Sequence, residues 1–216
     1  MWCIPKVTPE YATKMLDVLK VYERPYDIKF PVVCVDEKSK QLISESRPGL
    51  PSKPGQIARQ DYEYIRHGTV NLFVAVEPKG NRRRVKVTKR RTKTDFVKFI
   101  KRLVEYDYQK AEKVILILDN LNTHFEKSFR ECLKPCHAEQ LLKRTEFHHT
   151  PKHASWLNQA EIEIQALSTQ CLSQQISTFQ NIQHQIAVWT KERNQERIGI
   201  NWKFTRQEAR EKFRLS

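Results

Sequence analysis

VILILDNLNTH, residues 114–124, is the stretch on which the fold turns. Side chains alternate across a strand, so five aliphatics in succession leave no wet face. Such a run fits a central strand covered on both sides, with Asp119 at its exit. A carboxylate in that place sits near the core and needs a partner or an ion. The plainer reading is that Asp119-Asn120-Leu121-Asn122 closes a hydrogen-bonded turn.

Weaker signals flank it. PVVCVDE (31–37) is a short apolar run ending in two acids, the pattern of a buried strand with carboxylates at its exit. RPGLPSKPGQIARQ (47–60) holds too much Pro and Gly for a regular element and reads as a long ordered loop. VNLFVAVEP (70–78) is a further strand. RRRVKVTKRRTK (82–93) is its antiparallel neighbour, with Val85 and Val87 alternating with Arg84, Lys86 and Thr88. TDFVKFIKRLVEY (94–106) spaces Phe96, Phe99, Ile100 and Leu103 as a helix, with Thr94 as its N-cap. Residues 125–142 form a helical region broken at Pro135, and RTEFHHT (144–150) is a brief strand. Two later helices follow, the second carrying Phe179, Ile182, Ile186 and Trp189. This order describes an α/β layer around a mixed sheet. A helix near 11–22, ended by Pro25, makes residues 1–30 a helical lead-in to a main domain over 31–216.

Composition narrows the class. The 216 residues hold 39 Lys and Arg against 25 Asp and Glu, a net charge of +14. That balance favours a polyanionic partner, because each cation that neutralises a phosphate releases condensed counterions. No apolar run nears the roughly 18 residues of a membrane span, and the amino terminus lacks the pattern of a secretory signal, so the expected location is cytoplasmic. Cys3, Cys34, Cys132, Cys136 and Cys171 make no paired framework and read as thiols. Cys132 and Cys136 with His137 suggest half of a zinc site, without a second pair at a matching distance.

Three acids share a context: Asp36 and Asp119 end strands, and Glu161 lies in the first turn of a later helix. If the two strands are neighbours, their carboxylates meet at one sheet edge and the helix adds a third. Hard oxygen ligands of this kind suit Mg²⁺. On spacing alone each acid keeps a plainer reading, and Glu161 has a sharp one. Asn158-Gln-Ala-Glu161 matches a capping box, in which Glu161 only satisfies a backbone N–H. Ala160, Ile164, Leu167 and Cys171 form one apolar stripe, and Glu161 and Glu163 flank it on opposite edges. Periodicity does not choose between them.

VVCVDEKSKQL, VILILDNLNTH and FHHTPKHASWLNQAEIEIQALSTQCL together resemble the three acidic motifs of IS630-type transposases, in the IS630/Tc1/mariner group of DDE transposases. DYEYIRHGTVNLFVAVEP and INWKFTRQEAR are similar to further blocks of that family, and PKH-x-SWLN-x-AE is the most specific string. The resemblance implies a ribonuclease-H-like fold, a five-stranded mixed sheet flanked by helices. It implies Asp36, Asp119 and Glu161 as catalytic residues and ligands of two Mg²⁺ or Mn²⁺ ions. The activity implied is cleavage of DNA at transposon ends, then attack of the 3′-OH on target DNA at TA. A non-catalytic DNA-binding or dimerising remnant is the alternative. The implied partners are transposon-end and target DNA, on which the chain is a homodimer, and the implied location is the nucleoid. The family's helix-turn-helix recognition region does not precede Met1, so an upstream frame supplies it or the chain is truncated. Ala154 stands where the family has Gly, which predicts strain in that turn. The loop 45–69 reaches a partner subunit or DNA. With DNA as substrate, Arg82, Arg83, Arg84, Lys86, Lys89, Arg90, Arg91 and Lys93 read as a phosphate track rather than a solvated strand face. His153 joins them, while His124, His148 and His149 surround the motifs without an assigned role. Trp156 and Leu157 read as core anchors.

Overall fold

The aliphatic run forms β4 (Val114–Leu118), buried at every residue. It lies inside a five-stranded sheet of order β3-β2-β1-β4-β5. The other strands are β1 (Val32–Glu45), β2 (Tyr64–Glu77), β3 (Arg82–Thr88) and β5 (Thr145–His149). β4 runs parallel to β1 and β5, whereas β2 is antiparallel to both β1 and β3, so the sheet is mixed. This computed structural model describes residues 7–47, 49–58 and 62–215.

Both faces are covered, as the unbroken run of β4 requires. Val33, Val35, Leu116 and Leu118 point to one side and pack with Phe96, Phe99, Ile100, Phe129 and Leu141. Those come from α2 (Lys93–Arg102), α3 (Glu126–Cys132) and α4 (Pro135–Lys143). Cys34, Ile115 and Ile117 point to the other side, where Met15, Val18 and Leu19 of α1 (Pro9–Glu23) meet Ala160 of α5 (Ala160–Gln170). Further along that face, Leu72 and Val74 of β2 pack with Ile164 and Leu167 of α5 and Ile182 and Ile186 of α6 (Phe179–Gln195). Each such side chain, fully buried, contributes about 1.5–3 kcal/mol relative to exposure. α1 thus belongs to the main core, although it precedes the acidic motifs in sequence.

Several local readings are corrected. β1 and β2 are each 14 residues long, about twice the apolar runs that announce them. Beyond Asp36 the strand reads EKSKQLISE, and a bulge between Gln41 and Ile43 shifts its register against β2. Little of that extension is buried, so no apolar alternation marks it. The N-cap of α2 is Thr92, not Thr94, in a reciprocal capping box with Asp95. Pro135 does break the 125–142 region, by starting α4 at a position where its missing N–H costs nothing. A seventh helix, α7 (Arg206–Phe213), was not expected, although its Thr205/Glu208 capping box is readable in TRQE. Ala154 has an ordinary φ of −122°, and the left-handed residue of its turn is His153, with φ of 61°.

Leu157 is fully buried, and Trp156 packs edge-on against Phe204, so both act as anchors. Among the described residues no helix is long and apolar enough to cross a membrane. Cys34, Cys132, Cys136 and Cys171 are free thiols, while Cys3 lies outside the described residues.

Candidate active site

Strand register brings Asp36 and Asp119 together. Cys34 faces Ile117 across the parallel β1–β4 pair. Past that pair Asp36 continues β1 and Asp119 follows the end of β4, near enough for the charge of Asp119 to act on Asp36. α5 covers this face and delivers Glu161 in its first turn. Burial pushes Asp36 up to about 7, and the charges of Glu161 and Asp119 add to the shift. Burial likewise raises Glu161, with Lys38 opposing and Asp119 adding. The three carboxylates therefore repel one another across a partly dry pocket.

Asn158 builds the link between β1 and α5. It is fully buried, and its Nδ2 donates to the Val35 carbonyl at 2.9 Å and to Asp36 Oδ2 at 3.2 Å. Its Oδ1 accepts from the Ala160 N–H at 3.2 Å, while the N-cap position of α5 is Gln159 and no side chain caps it. The capping-box role for Glu161 is thereby overturned. Among the described residues, its carboxylate takes no backbone N–H. Glu163, on the other edge of the stripe, is buried between Arg83 Nε at 2.9 Å and Arg193 Nε at 2.8 Å. Packing separates the two acids that periodicity leaves equivalent.

His124 is the residue that sequence reading left without a role. Its side chain is fully buried, with Nδ1 at 2.6 Å from Asp119 Oδ1 and Nε2 at 3.1 Å from Glu37 Oε1. Its ring lies 4.3 Å from that of Phe96. Burial opposes its charge, but the hydrogen bonds to Asp119 and Glu37 outweigh it and push the imidazole up to about 9. Both nitrogens then donate at neutral pH. Burial works against Asp119 ionising, and the His124 hydrogen bond overrides it and lowers Asp119. The turn reading of Asp119 is also real, since the Leu121 N–H donates to the same Oδ1 at 3.1 Å. The signal for His124 was its place five residues after Asp119 in DNLNTH, which spans that turn.

This donor set fits a hard divalent cation. Asp119 Oδ2 and both Glu161 oxygens have no hydrogen-bond donor among the described residues, so lone pairs remain open. No three His, Cys, Asp or Glu side chains among those residues close a metal cage by themselves. That leaves Cys132, Cys136 and His137 without a zinc site.

The basic segment divides. Arg83 is a correction: its side chain is buried and donates to the Arg193 and Ile198 carbonyls, so no phosphate reaches it. Arg84 pairs with Asp107, and Arg82 donates to the Asp107 carbonyl while lying over the Tyr108 ring. Lys93 pairs with Glu131 at 2.8 Å. Lys86, Lys89, Arg90 and Arg91 are exposed, as is His153. His148 lies between Asp17 and Glu146, and His149 donates to the His124 carbonyl while stacking on Phe125. A cavity of about 370 Å³ lined by Tyr22, Glu77, Gln159 and Trp202 lies near the start of β1, apart from the carboxylates.

A mixed sheet with one acid within β1, a second just past the neighbouring β4 and a third on a covering helix fits a class of metal-dependent nucleases. The family of DDE superfamily endonucleases matches residues 31–183, and the chain belongs to it. The fold is ribonuclease-H-like, similar to that in three solved Mos1 assemblies. The Mos1 mariner paired end complex with Mn aligns with a TM-score of 0.58 and 16% identity, over 99% of this chain and 63% of that one. The Mos1 strand transfer complex aligns at 0.58 and 16%, over 94% and 58%. A pre-cleavage Mos1 transpososome aligns at 0.56 and 15%, over 94% and 67%. The chain thus spans about three fifths of the first of these. No curated protein matches it.

Proposed function

We propose that the chain is the catalytic part of an IS630-type DDE transposase, which cuts DNA at transposon ends and joins the freed 3′-OH to target DNA at TA. The observation that carries this reading is the grouping of Asp36 on β1, Asp119 just past β4 and Glu161 on α5, whose charges act on one another, with Asp119 Oδ2 and the Glu161 oxygens free of donors among the described residues. In this reading those three would hold two Mg²⁺ or Mn²⁺ ions, which would supply Lewis-acid activation of water for phosphoryl transfer. Each protein group then has its own task. Asn158 fixes Asp36 by its amide. The charged His124 holds one Asp119 oxygen and leaves the other for the ion. Lys38 offsets the repulsion at Glu161.

The net charge of +14 supports a DNA substrate, as do exposed Lys86, Lys89, Arg90, Arg91 and His153. Two of the Mos1 neighbours are paired-end complexes, one with the left transposon end, which supports DNA as the partner; a homodimer on DNA and end recognition by a helix-turn-helix region are further parts of the proposal. The test is nicking of supercoiled plasmid by the full chain in Mn²⁺. Asp119→Asn should abolish nicking while leaving DNA binding intact, and undiminished nicking would falsify the assignment. A chain that binds DNA and cuts none is the remnant.

A further inference from the structure

A groove of about 170 Å³ runs between α1 and the turn over 151–153. Lys14 of α1 forms one wall, with Lys152 and His153 on the other. The Lys14 ammonium stands 3.4 Å from Asn120 Oδ1, one residue past Asp119, and Asn120 in turn donates to the Thr150 carbonyl. Through Lys14 the groove thus adjoins Asn120, the residue after Asp119. Its cations are weakly committed. Lys14 has an ion-pair partner at 3.1 Å in Glu10, which also lines the groove and whose side chain is 77% exposed, and an exposed helix pair of that kind is weak. Lys152 and His153 are exposed and have no partner among the described residues. The β3 segment offers less. It lies three strands from β4, roughly 14 Å at 4.8 Å per strand, and Arg82, Arg83, Arg84 and Lys93 are held by protein groups.

We infer that this groove is a phosphate subsite, in which Lys14, Lys152 and His153 hold a backbone phosphate of the DNA strand as it passes the carboxylates. The inference rests on the transposase reading and adds α1, outside the matched family segment, to the DNA-handling surface. The space is of a size to take one phosphate group, so it would engage one strand of the duplex at a time. A surface lysine on a phosphate contributes through counterion release, which is read from the salt dependence of binding.

The experiment is fluorescence anisotropy of the full chain on a short labelled duplex of arbitrary sequence, over a series of salt concentrations. Lys14→Ala should reduce the slope of log K against log salt by about one, and Lys14→Ala/Lys152→Ala by about two. Lys14→Arg should restore it, and Lys20→Ala, exposed in the last turn of α1, should leave it at the wild-type value. An unchanged slope in Lys14→Ala overturns the subsite, even if affinity falls, because lost packing alone does not alter counterion release. An equal loss in Lys20→Ala also overturns it, as an effect of net charge alone. In both cases the nuclease reading stands. A wild-type chain that neither binds nor cuts DNA overturns that reading itself.

Discussion

Exchanging Glu163 for Gln keeps the shape of the side chain and removes the charge that holds two arginines together. The Glu163 side chain is 1% exposed, that of Arg83 0% and that of Arg193 12%, so water does little to screen the cluster. Arg193 grips the carboxylate with both Nε at 2.8 Å and Nη2 at 3.3 Å. Arg83 approaches at 2.9 Å without hydrogen-bond alignment, so its hold on Glu163 is charge attraction. In the variant two guanidinium groups face a neutral amide in a dry pocket. Removing one partner of a buried ion pair costs about 3–5 kcal/mol, and for a chain of this size each kcal/mol moves Tm by about 2–4 °C. The expected fall is therefore about 6–20 °C, read by thermal unfolding and checked by urea titration. Glu23→Gln is the matched control. Its pair with Arg206 is 32% and 45% exposed and should contribute no more than about 1 kcal/mol. Equal losses in the two variants would refute the argument that burial gives the Glu163 cluster its strength.

Asp36 provides a pH test in metal-free protein. Its carboxyl rises from 3.8 to about 7 on folding, so in that window the folded chain keeps a proton that the unfolded chain has lost. Stability must fall as pH rises through it. Asp36→Asn should then be more stable than wild type at pH 8 in EDTA, with the gain vanishing toward pH 4. A Tm difference that ignores pH contradicts the shift. Asn158→Ala strands the Val35 carbonyl and removes the acceptor of the Ala160 N–H, a loss of about 1–3 kcal/mol by urea unfolding, with nicking falling further than stability explains. Full nicking in that variant would remove Asn158 from the positioning of Asp36.

The parts of the fold that were legible share one cause. VILIL is buried on both faces, and such a run has few other uses, so β4 and the acid after it stood out. Pro135 and the apolar spacing of α2 are equally local signals. What sequence left open depends on partners far along the chain. Arg83 and Arg84 are chemically alike, and only the pleat, with α6 on one side and Asp107 on the other, decides which is buried. Glu161 and Glu163 are likewise told apart by Arg83 and Arg193, 80 residues before and 30 residues after Glu163. The role of His124 depends on Glu37, 87 residues earlier. The extensions of β1 and β2 gave no signal, because half-exposed strands carry mixed residues on both faces.

The mismatch in length between β1 and β4 has a consequence for how this protein behaves in solution. β4 stops at Leu118 while β1 runs on to Glu45, so past Asp36 one edge of β1 has no strand beside it. A bare edge is a template for pairing with another chain, and proteins blunt it with lysines or cover it with loops. Both devices occur here. Ile43 N–H donates to the Ile176 carbonyl at 2.9 Å, and Lys40 reaches the Leu172 carbonyl at 2.7 Å, so the connection between α5 and α6 lies along the gap as a seal. The opening that admits chemistry beside Asp36 is thus where sheet-to-sheet polymerisation would begin, and the chain keeps it closed to strands while leaving it open to substrate.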